Sequence, residues 1–299
     1  MFEINGERVA LVTDTACDLS DEQLRAYDIR MVSLRLSTSR GEFRDRKEIQ
    51  PQELYAIMET ELPKTSLPLP GDVTAVWHEA AEAGATRILH LSISSGLSGA
   101  CNLVQMLAPE FQEARVEVLD TLTLSAGEGL LVLAAAQCLA AGGSVAEAVE
   151  TVERLRGDQL GTFVIRTLEY LRKGGRIGLV EGVVGSLLQI KPVIFVNPDG
   201  VYQTLAKGRG FTKALDAMTE EFFRRYSGQR VTMAIVHGNA YEDALALQAR
   251  MMDRLDVAET FISPVSPALA IHTGPGLLGI IIQPWEEPRI KTGTVIHEL

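Results

Sequence analysis

The sequence predicts an α/β protein of two domains, and three observations lead to that prediction. The chain has 299 residues, with 46% hydrophobic and 22% charged residues, which suits one large or two ordinary globular domains. Through the first half, apolar runs alternate with helical patterns, as in a doubly wound parallel sheet. From about Leu160 the pattern changes, and an NPDG turn between two strand-like runs indicates an α+β region with antiparallel pairing.

The first half predicts repeated strand-loop-helix units. Its first helix begins after Ser20, which can cap it, with Gln23 three residues further on. Ligands bind at the carboxyl ends of the strands in such sheets, and Asp14, Ser94 and Asp120 fall at these ends. The predicted elements are strands at 9–14, 87–93 and 116–120 and helices at 20–27, 51–61, 72–84, 100–108 and 129–143.

The second half predicts a mixed or antiparallel sheet with two long helices. We place the boundary near residues 157–161, which divides the chain into domains 1–159 and 160–299. The predicted elements are strands at 160–165, 190–209 (two strands around the turn), 230–238 and 278–284 and helices at 212–227 and 240–255.

Composition and spacing exclude several classes of function. A formal net charge of −11 argues against nucleic acid as the main partner. The three cysteines, Cys17, Cys101 and Cys138, are far apart and form no CxxC pair, which predicts a reducing compartment without disulfides. No histidine pair has metal-ligand spacing, and neither GxGxxG nor a Walker motif occurs, so we expect no metal and no nucleotide cofactor. Without a signal-peptide pattern or a long apolar run, the sequence predicts a soluble, cytoplasmic protein.

The stretch SSGLSG (94–99) follows a buried strand and precedes a helix. Backbone N–H groups at such a junction favour an anion. The same stretch partly matches the hydrolase pattern GxSxG around Ser98, with Ala100 where the second glycine would stand. A serine nucleophile would also need a base, for which His272 is the candidate, and an acid such as Asp14 or Asp120. The residues leave both interpretations open.

Other hydroxyl side chains lie in two further loops. Thr65 and Ser66 belong to KTSLPLPG, where prolines keep the chain extended, and His272 and Thr273 precede a GPG turn. Together with Ser94 and Ser95, these side chains can bind a carboxylate without a formal positive charge. Ordinary roles in turns and caps are the alternative.

A third motif, LEYLRKGGRIG (168–178), places Arg172, Lys173 and Arg176 around a glycine pair. Basic residues near a helix C-terminus closed by Gly174 are favoured by the helix dipole. The cluster is also suited to docking a protein or a phosphate-bearing partner.

The motifs together resemble those of the DegV family, the bacterial fatty-acid-binding proteins, over residues 9–284. This resemblance implies a Rossmann-like N-terminal domain, an α+β C-terminal domain and one long-chain fatty acid buried between them. It also implies that the carboxylate is held by Thr65, Ser66, Ser94 and Ser95, with His272 nearby. The motifs are TDTACDL (13–19), LPKTSLPLPG (62–71), SSGLSGA (94–100), LEYLRKGGRIG (168–178), IKPVI (190–194) and HTGPGLLG (272–279).

The resemblance further implies a carrier without catalysis of its own. In such systems the protein presents its fatty acid to a separate fatty acid kinase subunit, which phosphorylates the carboxylate, and transient membrane contact serves lipid exchange. The basic segment with Arg172, Lys173 and Arg176 would then dock the kinase. The alternatives are a serine hydrolase or acyltransferase that uses Ser94, Ser95 or Ser98 with His272, and a lipid sensor that controls a protein partner.

The chain departs from the family pattern at two places. Leu67 and Leu69 stand in TSLPLPG where the family has TSQPSPG, and Ala100 and Cys101 stand where it has Thr and Tyr. These changes make the neighbourhood more apolar and smaller, which bears on the acyl chain that is accepted.

Overall fold

The computed structural model describes residues 1–178, 180 and 189–287. Its first half, up to residue 158, contains eight strands and six helices among these residues. The strands are β1 (Phe2–Ile4), β2 (Glu7–Asp14), β3 (Arg30–Val32), β4 (Arg35–Thr38), β5 (Gly41–Arg44), β6 (Lys64–Ser66), β7 (Arg87–Ser92) and β8 (Arg115–Asp120). The helices are α1 (Asp21–Ala26), α2 (Pro51–Met58), α3 (Pro70–Glu82), α4 (Ala100–Leu107), α5 (Ala126–Ala140) and α6 (Val145–Asp158).

The remainder of the described chain forms six strands and four helices. The strands are β9 (Leu160–Val164), β10 (Ile190–Val196), β11 (Tyr202–Arg209), β12 (Arg230–His237), β13 (Asp256–Pro264) and β14 (Leu278–Pro284). The helices are α7 (Glu169–Lys173), α8 (Phe211–Tyr226), α9 (Tyr241–Met252) and α10 (Pro267–Thr273). None of the helices in the described ranges is long and apolar enough to cross a membrane.

The first sheet is the predicted parallel sheet with helices on both faces. Its order is β1-β2-β7-β8, with β3 also beside β2, and only β1 runs antiparallel to its neighbour. Alternation along β2 sends Val9 and Leu11 into one hydrophobic core and Ala10 and Val12 into another. Ser20 and Gln23 form the predicted capping box of α1.

The second sheet has the order β11-β10-β9-β14-β12-β13. Most of its pairs are antiparallel, including the predicted hairpin β10–β11, but β12 and β13 are parallel, so the sheet is mixed. One face of β9 sends Leu160 and Val164 into a core beneath α8 and α9, and the other sends Phe163 towards the first half, as does Ile165 directly after the strand. The change of sheet falls between α6 and β9, while a division into domains at residue 159/160 stays a prediction.

Several elements were absent from the sequence prediction. Helices α6 and α10 were not predicted, nor were strands β1, β3 and β13 or a small sheet of order β5-β4-β6. The strands of the small sheet have only three or four residues, too few for a clear alternating pattern. This sheet matters for the site because it pairs Thr65 of β6 with Leu36 of β4.

One large hydrophobic core joins the two halves. It takes side chains from the first half, such as Leu36, Leu124 and Leu130, and from the second, such as Phe163 and Ile281. Helix α10 lies in this core and contacts α2, β4 and β6 as well as α7. The segments that carry the sequence-predicted site therefore meet at the contact between the halves.

Candidate functional site

Thr65 and His272, which are 207 residues apart, form a hydrogen bond of 2.9 Å between Oγ1 and Nε2. Thr65 is held by β6, and His272 lies in the last turn of α10. The Nδ1 atom of His272 has no partner among the described residues. If the ring proton is on Nε2, the unpaired Nδ1 is an acceptor. The other tautomer would leave an N–H donor unpaired at Nδ1, which costs more free energy. In the Nε2–H tautomer the ring donates to Thr65, and the Thr65 hydroxyl is free to donate to another acceptor.

The His272 ring is neutral at pH 7. Burial, together with the positive charge of Arg176, lowers its pKa from 6.5 to about 4. Gly174 ends helix α7 directly against this ring, and a Cβ atom there would collide with Nδ1. Glycine at this position therefore allows α7 and α10 to pack closely.

Arg176 follows this helix end and brings a positive charge to the same place. Its Nη1 donates to the carbonyl oxygen of Gly174 at 2.8 Å and its Nε to that of Leu97 at 3.4 Å. The side chain is half-buried and lines the same cavity as His272. The sequence predicted Arg176 as a docking residue, whereas its position in this wall suits an anion inside the cavity.

These residues surround a cavity of about 150 Å³. Its polar lining consists of hydroxyl groups, one imidazole and one guanidinium, so it offers mainly hydrogen-bond donors. The half-buried Thr65 and the exposed Ser66 place this polar side next to solvent. The polar residues are Thr65, Ser66, Ser98, Arg176 and His272, and the apolar ones are Leu34, Leu67, Ile93, Leu97, Leu124, Tyr202, Ala268 and Leu269.

A second cavity of about 40 Å³ lies deeper, in the core between the halves. Leu124, Tyr202 and Leu269 line both cavities and form the wall between them. The path from the first cavity to the second thus runs from a polar, accessible end to an apolar, buried end. The other residues of the second cavity are Thr123, Ser125, Gly161, Thr162, Phe163, Val196, Val236, Val265, Thr273, Leu277 and Ile281.

Ser94 and Ser95, which begin the stretch SSGLSG (94–99, the serine loop), do not line either cavity. The hydroxyl of Ser94 is fully buried, donates to the carbonyl oxygen of Gly200 at 2.7 Å and accepts from the Gly96 N–H at 3.1 Å. Ser95 is exposed, and its backbone N–H donates to the Asp120 carboxylate at 3.2 Å. Ser94 therefore joins the serine loop to the β10–β11 turn, which is a structural contact that sequence reasoning missed.

Thr273 and Ser98 have other environments. The Thr273 hydroxyl donates to the carbonyl oxygen of Leu269 at 3.1 Å, one turn back in α10, and the residue lines the second cavity. Ser98 lines the first cavity, and its hydroxyl accepts from the Ala100 N–H at 3.2 Å. His272 bonds to Thr65 and to no carboxylate in the described part of the chain, so the residues do not form a triad there.

Arg172 and Lys173, the other two basic residues of LEYLRKGGRIG (168–178), lie outside the cavity. Arg172 and Lys173 are exposed in the last turn of α7, and Lys173 forms an ion pair of 2.5 Å with Glu169. The predicted helix end at Gly174 is confirmed. The three basic residues predicted as one cluster are separated. The chain turns at Gly175, which has φ = 70°, so Arg176 lies apart from Arg172 and Lys173.

A group of buried acids lies beside the cavities. Asp14 accepts hydrogen bonds from the Ile93 N–H at 2.9 Å and from the Ser92 hydroxyl at 3.1 Å, which fixes the start of the serine loop. Asp18 accepts from the Ser266 N–H at 2.8 Å and Asp45 from the Ala268 N–H at 3.2 Å. Asp18 and Asp45, from the first half, thus cap the N-terminus of α10 in the second.

Burial raises the pKa of each of these carboxyl groups. The pKa is about 6 for Asp14 and Asp18 and about 7 for Asp45, and that of the buried Glu128 is well above its usual range. These groups therefore carry less negative charge near pH 7 than ordinary carboxylates. The nearby cavity can hold an anion without facing four full negative charges.

The chain is similar to known proteins along almost its whole length. Residues 8–284 match the family model of the DegV family, which is described as a family of uncharacterised proteins. A DegV domain-containing protein from Clostridium acetobutylicum is 33% identical over 276 residues, which cover 92% of this chain and 99% of that protein. One from Streptomyces coelicolor is also 33% identical over 276 residues, covering 92% and 98%.

Solved structures show the same similarity. A DegV family protein from Thermus thermophilus, described as fatty-acid binding, has 35% identity and a TM-score of 0.86, covering 93% of this chain and 100% of that one. A DegV family protein from Ruminococcus gnavus, solved with vaccenic acid, has 26% identity and a TM-score of 0.79, covering 91% and 99%. The two-domain α/β architecture expected from the sequence agrees with these structures.

Proposed function

Because the chain belongs to the DegV family, we propose that it binds one long-chain fatty acid between its two halves, with the carboxylate in the first cavity and the acyl chain extending into the second. The gradient along these cavities, from hydroxyl groups and a guanidinium to an apolar core, is the observation that carries the proposal. The fatty acid binding described for the Thermus thermophilus protein and the vaccenic acid of the Ruminococcus gnavus structure support it.

The carboxylate in this proposal contacts donors from three segments. Thr65 and Ser66 come from β6, Arg176 from the loop after α7, and His272 orients the Thr65 hydroxyl through its Nε2–H. A charge-assisted hydrogen bond from Arg176 is stronger than one between neutral groups. Relative to the sequence prediction, Arg176 is added as a ligand, and Ser94 acts by holding the loop rather than by contacting the carboxylate.

The acyl chain supplies most of the affinity. Each buried methylene contributes about 0.8 kcal/mol, so a chain of about sixteen carbons gives roughly 12 kcal/mol before the cost of ordering. Leu124, Tyr202 and Leu269 must move apart to let the chain pass from the first cavity to the second. The head group then sets position and orientation more than affinity.

We further propose that the protein is a carrier that presents its fatty acid to a partner kinase. The exposed Arg172 and Lys173 lie in the last turn of α7, the helix that precedes Arg176, and suit an acidic partner surface. An Arg172→Glu, Lys173→Glu double variant should retain its lipid but lose phosphorylation by that kinase. Equal phosphorylation of both proteins would remove these residues from the docking surface.

Native mass spectrometry of the purified protein, followed by extraction and identification of the lipid, tests the binding proposal. We expect a mass increase that corresponds to one fatty acid per chain. Thr65→Val should lower lipid retention, while Thr151→Val, on α6 outside both cavities, should not. A protein that carries no lipid and also refuses added oleate and palmitate would overturn the proposal.

A further inference from the structure

Leu67 occupies an unusual position for a large apolar side chain. It is 43% exposed, yet it lines the first cavity beside Thr65 and Ser66. Leu69, two residues further on, is 50% exposed and does not line the cavity. Leu67 therefore lies where the polar end of the cavity meets solvent.

The backbone around Leu67 is fixed on both sides. Ser66 belongs to β6 and pairs with Arg35 of β4. Pro68, which is buried, restricts Leu67 to extended backbone conformations, and Pro70 begins helix α3. Movement at this position is therefore mainly rotation of the Leu67 side chain, which is fast for exposed residues.

The Leu67 side chain extends across to the serine loop. Its two δ-methyl carbons lie 3.4 and 3.5 Å from the place that a Cβ atom would occupy at Gly99, directly before helix α4. Leu97, in the same loop, lines the cavity from the opposite segment. The isobutyl group thus bridges the two loops that border the polar end.

We propose that the Leu67 side chain is the gate of the cavity, which closes over the bound carboxylate and sets the rate at which a fatty acid enters and leaves. The inference rests on the proposed fatty-acid binding and names the residue that controls exchange. A gate opens equally for entry and exit. Its removal should therefore raise both rate constants and leave the dissociation constant nearly unchanged, whereas loss of a ligand contact raises only the dissociation rate.

Stopped-flow fluorescence with parinaric acid measures both rates, association by mixing and dissociation by displacement with excess oleate. For Leu67→Ala we expect both rate constants to rise at least fivefold, with the dissociation constant within threefold of wild type. Leu69→Ala is the matched control and should stay within twofold in every constant. Gly99→Ala adds a methyl group at the contact and should slow both processes, since its φ of −73° suits alanine.

Unchanged rates in Leu67→Ala, or a rise in the dissociation rate alone, would overturn the gate while leaving fatty-acid binding intact. Failure of the wild-type protein to bind parinaric acid or oleate would instead overturn the proposed function. Circular dichroism and thermal unfolding establish that each variant is folded before its rates are compared.

Discussion

Two groups of polar residues lie at opposite ends of helix α10, and they differ in burial, in charge and in access to solvent. At its N-terminus, Asp18 and Asp45 accept hydrogen bonds from backbone N–H groups and are sealed in the core. Near its C-terminus, His272 meets Thr65 and Arg176 around a cavity that reaches solvent. The acids hold the helix in place, and the donors at the other end remain available to an anion.

This difference shows how buried carboxyl groups can lie next to a site that binds an anion. Burial raises the pKa of Asp18 to about 6 and that of Asp45 to about 7, against the opposing effect of hydrogen bonds and of the positive charge of Arg46, and this lowers their negative charge. Burial together with Arg176 keeps His272 neutral, so the positive charge of the site is that of the guanidinium. The first and third predictions below each test one side of this contrast, and the second and fourth test the apolar cavity and the serine loop.

The largest expected effect is on the pH dependence of stability, through Asp45. Its pKa is raised by burial from 3.8 to about 7, so its contribution to stability is full below pH 3.8 and is lost as the pH rises through about 7. Asp45→Asn removes this ionisation. One pKa unit corresponds to about 1.4 kcal/mol. Between acidic and neutral pH, the free energy of unfolding of the variant should therefore change by a few kcal/mol less than that of the wild type.

Urea unfolding at pH values from 4 to 8 measures this change. Asp253→Asn, at an exposed site on the surface, is the control and should keep the pH dependence of the wild type. A wild-type protein whose stability is already as independent of pH as that of Asp45→Asn would show that Asp45 does not titrate in this range.

The second prediction concerns the apolar end. Gly161 lines the second cavity, and a Cβ atom there would lie 3.5 Å from Cγ1 of Ile281, in ordinary contact. Gly161→Val should exclude the end of the acyl chain. If about four methylenes are displaced, the loss is about 3 kcal/mol, or roughly a hundredfold in affinity for stearate.

Competition binding with acids of ten to eighteen carbons measures the effect. Decanoate should bind Gly161→Val as it binds the wild type, and Gly157→Val, where the added side chain enters open space, should bind every acid normally. An equal loss for short and long chains would place the tail elsewhere.

Arg176 provides the third prediction, at the polar end. Arg176→Gln removes the positive charge and should lower oleate affinity by about 2 kcal/mol, roughly thirtyfold, as is usual for a hydrogen bond to a charged group. Oleyl alcohol, which has no charge, should bind both proteins alike. Calorimetry with both ligands tests this expectation, with Arg172→Gln as a control that lies outside the cavity lining. Equal losses for acid and alcohol would show that Arg176 acts only through packing.

The smallest effect is expected for Ser94. Its hydroxyl bonds to Gly200 and Gly96, so Ser94→Ala should lower the free energy of unfolding by about 1 kcal/mol. Lipid retention should stay within twofold of wild type, as measured by native mass spectrometry beside urea unfolding. Loss of retention without loss of stability would restore Ser94 as a carboxylate ligand.

The sequence alone predicted the elements with strong local patterns. The parallel sheet, its flanking helices and the β10–β11 hairpin follow from alternation, helical spacing and turn residues. The small sheet with β4 and β6 was missed because its strands are short, and β13 was missed although it pairs along the whole of β12. Its pairing is a long-range contact, which local patterns do not encode.

For the site, the sequence predicted segments and the tertiary structure decided side-chain directions. Thr65 and Ser66 lie at the cavity with His272 because the small sheet places β6 against helix α10. Ser94 was chosen for its residue type, but its hydroxyl is bonded to Gly200, 106 residues away. Arg176 was grouped with Arg172 and Lys173 by proximity in sequence, and the turn at Gly175 separated them.

What the sequence determined by itself is therefore the family, the order of the elements with strong local patterns and which segments carry hydroxyl groups, because these depend on local pattern and composition. The tertiary structure alone decided which hydroxyls remain free, which acids are sealed and where the positive charge lies. The physical reason is that a polar group can bind a ligand only where no backbone group from a distant part of the chain already forms a hydrogen bond with it. Burial then sets its charge through its pKa.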